Sequence, residues 1–147
     1  MVINSLEDNF VIEGTVNLDG TSLIMKVAEC GHISTATLPE TFDILSKYLP
    51  SIFNCQCFNN ENNNFKKECQ NTEIGHLFEH IMLEHLCIEK IADGGSEATY
   101  EGRTSWEEDK TQTFYIEIKV GSSEIDMIKK AFNKSVDLLN KILLPNN

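Results

Sequence analysis

Hydrophobic and polar positions along this chain change period several times, and the changes mark out its elements. Residues 10–18 and 21–29 are apolar and β-branched runs separated by Asp19-Gly20, a strong tight-turn dipeptide, so an antiparallel hairpin is expected there. Residues 33–37 fit a short third strand or a loop. From Pro39 the apolar spacing becomes helical: Phe42, Leu45 and Leu49 share a face, Pro39 suits the first turn and Pro50 ends a helix over about 39–49. Residues 51–58 read as a mostly apolar strand, and the asparagine-rich stretch 59–64 as a polar loop with no core residue. The region 72–92 reads as one long helix closed by Gly94-Gly95. Two further strands, roughly 98–106 and 113–120, flank the charged turn Glu107-Glu108-Asp109-Lys110. A final helix over 122–144 opens at Ser122-Ser123 and aligns Ile125, Ile128, Phe132, Val136 and Leu139 on one face before Pro145 stops it. Hairpin-paired strands with these three helices covering one side predict an α+β two-layer sandwich with a mostly antiparallel sheet.

Composition narrows the classes. At 147 residues the chain suits one domain with a core of its own, and 41% hydrophobic against 24% charged residues is ordinary for a globular protein. Twelve basic against twenty-three acidic residues, a net charge of −11, argue against nucleic-acid phosphate as a partner and favour cationic groups on a substrate. The N-terminal residues lack the basic start and apolar core of a secretory signal, and no apolar run approaches a membrane span, so a cytoplasmic protein without membrane contact is expected. Five cysteines, an odd number, then read as free thiols. Cys30-Gly31-His32 and Cys55-Gln56-Cys57 lack the paired spacing of a structural zinc site.

The chemistry concentrates in the long helix. Its wheel separates an apolar face, with Ile74, Leu77, Phe78, Ile81 and Met82, from a stripe holding His76, Glu79, His80 and Glu84. His76-x-x-Glu79-His80 is the inverted zinc-hydrolase pattern: two imidazoles one turn apart converge on one ion, and the intervening carboxylate serves as base. Such a shell usually needs a third protein ligand, and two carboxylates are candidates. Glu84, a turn beyond His80, can ligate with a stretched side chain or orient a histidine ring from behind. Glu124 falls on the core side of the last helix's start, which is costly unless it is paired or metal-bound, although favourable contact with the helix N-terminus needs no metal. His85 falls in the middle of the apolar face and is expected to be a packed, hydrogen-bonded core histidine; His32, in a turn, is expected to be structural. Arg103 and Trp106 are the only arginine and tryptophan. They are candidates for a substrate-carboxylate clamp and a stacking wall, against the plainer reading of a surface arginine and a partly buried tryptophan.

The order Gly75-His76-Leu77-Phe78-Glu79-His80, then Leu83-Glu84, Gly102-Arg103-Thr104, an apolar strand from Phe114 and a long last helix resembles the N-terminal domain of cyanophycin synthetases, over roughly residues 51–147. The inverted pattern is shared with insulinase-type metallopeptidases and S-ribosylhomocysteine lyase, whose folds are also two-layer α+β. The resemblance implies a domain that binds a polyaspartate backbone carrying arginine side chains and, in some members, cuts it. It places His76 and His80 at metal ligands, Glu79 at the base and Glu84 at a recurrent acidic position. The chain has no glycine-rich phosphate loop, so the ATP-dependent polymerisation of those synthetases is not expected of it. The combined expectation is a zinc-dependent hydrolase acting on amide bonds of a peptide-like, arginine-bearing substrate. The alternative is a non-catalytic polymer- or peptide-binding module of the same fold.

Overall fold

The computed structural model describes residues 1–29, 31–54, 64–95 and 100–144. Among these residues the sheet has five strands: β1 (Val2–Leu6), β2 (Phe10–Val16), β3 (Thr21–Val27), β4 (Gly102–Ser105) and β5 (Thr113–Ile118). They lie in the order β1-β2-β3-β5-β4, every neighbouring pair antiparallel. The hairpin at Asp19-Gly20 is present: Asn17 and Gly20 close the β2–β3 turn through an N–H···O=C bond of 3.0 Å, and the Asn17 side chain caps Gly20 N–H. Among the described residues four α-helices accompany the sheet: α1 (Thr41–Tyr48), α2 (Phe65–Glu68), α3 (Ile74–Ala92) and α4 (Ile125–Leu143). The result is the expected α+β arrangement. Strand alternation buries one sheet face, with Ile12, Leu23, Met25, Phe114 and Ile116 inside, and leaves Glu13, Ile24, Lys26 and Glu117 on the other.

Three elements differ from the sequence pattern. Residues 1–6, too short and polar to signal a strand, form β1 because β2 offers it an open edge. The strand expected over 51–58 is, in its described part, a 3-10 turn (Pro50–Asn54). Ile52 of that turn is fully buried and Phe53 packs partly against the core, so the apolar run anchors a turn and needs no extended strand. Asn64, the last residue of the expected polar loop, caps α2 by accepting a hydrogen bond from Lys67 N–H at 3.0 Å. Residues 55–63 and 98–99 of the expected strands and loop, together with Cys30, Cys55 and Cys57, lie outside the described residues. Cys69, buried in the core, is a free thiol, as expected.

Helices α3 and α4 lie side by side on the buried sheet face, α3 over β4 and β5, α4 beside β1. The seating of α3 is unusually close. A Cβ on Gly75 would stand 2.3 Å from Phe114 Cγ, so only glycine lets the helix start touch β5. The two helices are joined by His85, buried as expected, whose Nδ1 lies 2.8 Å from Ser135 Oγ; Ser135 in turn donates to Ala131 C=O at 2.7 Å. Phe78 and Phe132 meet edge-to-face across the same seam, with ring centroids 6.2 Å apart.

Gly75→Ala is therefore expected to destabilise the fold by about 1–3 kcal/mol, the usual range for forcing a methyl into a filled core. Chemical denaturation of both proteins checks this; an unchanged midpoint would mean that the α3–β5 contact has slack the structure does not display.

Candidate metal centre

The site is built at the N-terminal end of α3, on the side away from α4. Ser34 bridges Glu73, and Thr35 N–H donates to Thr72 C=O at 2.8 Å, which fixes the chain entering the helix. From there the helical repeat sets His76 and His80 one turn apart, and their Nε2 atoms face each other at 3.1 Å. His76 Nδ1 lies 2.7 Å from Thr72 Oγ1, a bond behind the ring that holds its orientation. Phe65 of α2 stacks on His80, with centroids 4.2 Å apart and planes 19° from parallel. His80 Nδ1 is buried without a hydrogen-bond partner.

Glu79 points from α3 onto β4. Thr104 Oγ1 donates to its Oε1 at 2.7 Å, and a Cβ on Gly102 would come within 3.0 Å of its Cγ, so a glycine on the edge strand makes room for the carboxylate. His76, Glu79 and His80 each present a ligand atom within 4.8 Å of the others, and together they can hold a metal ion. Two nitrogens on one tetrahedral zinc, each at about 2.0–2.1 Å, stand roughly 3.3 Å apart, close to the imidazole separation seen here.

The wheel suggested a polar stripe opposite the core. The structure buries it: Glu79 and His80 are each only 5% exposed, because β4 covers one and Phe65 the other. His76 and, further along the helix, Glu84 are half-buried. Burial is the largest influence on both inner groups. It pushes the Glu79 carboxyl up, against the Thr104 hydroxyl and His76, which pull it down. It pushes His80 down to about 3, with His76 beside it adding to the effect, so His80 is neutral and keeps the lone pair of one ring nitrogen.

The remaining predicted site residues separate. Glu124 does not reach the histidines: it accepts from Lys90 Nζ at 2.6 Å and from Tyr100 Oη at 3.3 Å. Lys90 is ten residues beyond His80 on α3, on the order of 15 Å along the axis. Its core-facing carboxylate is thus satisfied by an ion pair, the cheaper solution. Glu84 is half-buried and stands outside the cluster among the described residues. Arg103 is exposed and pairs in register with Glu117, while its neighbours Gly102 and Thr104 face α3, so its side chain leaves from the opposite sheet face. Trp106 is 43% exposed and meets Phe114 edge-to-face at 6.1 Å, on the α3 side near Gly75. His32, exposed, pairs its Nδ1 with Thr37 Oγ1 at 2.8 Å. Sequence reasoning gave no site role to Thr72, Thr104, Gly102 or Phe65, although Gly102 and Thr104 stand in the motif order that carries the resemblance. The first is on the same helix approach and was legible as a residue four before His76; the other three come from elements that only the fold brings near.

The profile of a family described as cyanophycin synthase-like N-terminal domain matches residues 22–143. The chain belongs to that family. The match starts on β3 and ends with α4, so the shared unit includes far more of the sheet than the motif-bearing region from residue 51. No curated protein matches the chain. In this cyanophycin synthase-like domain no described helix is long and apolar enough to cross a membrane.

The buried histidines make the domain acid-sensitive. His80 falls to about 3 and His85, buried and facing Lys134, to about 4, each from 6.5. Below pH 6.5 the unfolded chain takes up protons that the fold refuses, so stability present above that value falls toward pH 4. The slope is about 1.4 kcal/mol per pH unit for each histidine. Glu79, raised by the fold, retains a proton and offsets part of this at the acidic end. Urea midpoints measured in chelator should drop steadily from pH 6.5 to 4, and His85→Gln should flatten the profile. A flat profile in the unsubstituted protein would contradict the buried placement of both rings.

Proposed function

We propose that this domain is a zinc-dependent hydrolase of amide bonds in a peptide-like substrate carrying arginine-type side chains, with His76 and His80 holding the metal and Glu79 as general base. One observation carries the reading: two inward-facing Nε2 atoms 3.1 Å apart with a buried carboxylate in the same cluster. Bound zinc would lower the pKa of a water to near 7 and polarise the scissile carbonyl. Thr72, behind His76, keeps that imidazole turned toward His80. Thr104 occupies one oxygen of Glu79, leaving the other to accept the attacking water's proton and deliver it to the departing amine nitrogen. Burial makes Glu79 a stronger base than a surface carboxylate. Substrate would approach on the half-buried His76 side, with Trp106 as an apolar wall. The net charge of −11 suits guanidinium groups on the substrate.

A second reading has its own support. With Glu79 and His80 each 5% exposed and no second carboxylate or thiol in the cluster among the described residues, a non-catalytic module that grips the polymer is also consistent with the geometry.

Protein purified from zinc-containing medium should carry one equivalent of zinc, lost in His76→Ala. It should cleave a polyaspartate bearing arginine side chains. Glu79→Gln should retain the metal while the rate drops by about 10²–10⁴-fold, the usual contribution of a positioned base. Absence of bound metal, or a Glu79→Gln variant as fast as the parent, rules out the hydrolase. Polymer binding indifferent to chelator and without cleavage would identify the binding module.

A further inference from the structure

The two edges of the sheet are protected unequally. β4 is four residues long and is bounded by Glu101 on one side and Glu107, Glu108 and Asp109 on the other, features that discourage another strand from adding to it. β1 reads Val2-Ile3-Asn4-Ser5-Leu6, with no charge, no proline and unbroken register against β2. Met1 and Val16 exchange both backbone hydrogen bonds, at 2.7 and 3.1 Å, and Glu7 N–H reaches Phe10 C=O at 3.0 Å. Odd-numbered residues therefore turn their N–H and C=O groups to β2, and Val2, Asn4 and Leu6 turn theirs outward. The side chains of those same three residues stand on the open sheet face, Val2 63% and Leu6 83% exposed.

We propose that this edge pairs antiparallel with the same edge of a second copy of the chain, with Asn4 opposite Asn4 at the two-fold axis. Only an even-to-even register lets both strands offer outward groups, and centring on Asn4 uses all of them, about six backbone hydrogen bonds. It sets Val2 of each copy beside Leu6 of the other, covering the most exposed aliphatic residue of the strand with its best apolar partner. Charge agrees with the same register. A groove next to Val2, Ile3 and Asn4 is rimmed by the exposed Lys129 of α4. The antiparallel partner brings its Glu7 and Asp8 to that end. Two chains of charge −11 repel at long range, so the dimer should tighten as salt screens them.

Sedimentation equilibrium of the full chain over a micromolar concentration series tests this. The expected mass is twice the 16.6 kDa of one chain. Asn4→Pro removes an outward N–H that β2 does not use and the long 3.4 Å bond from Gly14 N–H to the Asn4 side chain, so the monomer keeps its backbone ladder while the edge is blocked. Leu6→Lys blocks it by charge. Both variants should sediment as monomers and melt like the parent. In the parent, amide hydrogen exchange at Val2, Asn4 and Leu6 should slow as concentration rises. A parent that stays monomeric, variants that dimerise equally well, or unprotected amides at those positions in a dimer would each overturn the proposal.

Discussion

The contact between the start of α3 and the strands beneath it governs the site. Gly75 brings the helix against Phe114, and that closeness puts Glu79 within reach of Thr104 and over Gly102. Had α3 been lifted by one methyl, the carboxylate would face water and the imidazoles would form an ordinary polar stripe. Tight packing therefore does more than stabilise the core: it withdraws Glu79 and His80 from solvent and leaves His76 half-buried beside them.

Burying such groups carries a penalty that the structure meets mostly by pairing. Glu79 has the Thr104 hydroxyl, His76 has Thr72, and the two imidazoles have each other. His80 Nδ1 is the one buried side-chain nitrogen or oxygen among the described residues left without a partner. That imbalance sits in the cluster able to hold a cation, whereas the other buried histidine, His85, has its Nδ1 paired with Ser135. One imidazole closes a seam between helices; the other leaves a buried nitrogen in a group that could hold a metal ion.

The seam gives the site a rigid back. α3 is held from one side by the sheet and from the other by α4, through His85 with Ser135, Phe78 with Phe132, and an ion pair between Glu89 and Lys134. At its far end Lys90 and Glu124 close the gap between the two helices. With α3 clamped along its length, the spacing of His76 and His80 is a property of the whole domain, and the family match over residues 22–143 spans every element of this clamp.

Local patterns determined much of this protein. The β2–β3 hairpin follows from Asp19-Gly20, α3 and α4 follow from their apolar repeats, and the one-turn spacing of His76 and His80 follows from helix geometry alone. The core position of His85 was also legible, because its neighbours on the wheel are apolar. Tertiary structure decided the rest. Whether a polar stripe faces water depends on what covers it, and β4 and Phe65 arrive from elsewhere in the chain. Glu124 looked like a ligand because its carboxylate pointed inward, but a lysine at the opposite end of α3 already satisfies it. Arg103 turned outward because strand parity belongs to register with β5, which no single strand encodes. A sequence specifies the spacing within each element; only packing between elements specifies which side chains meet.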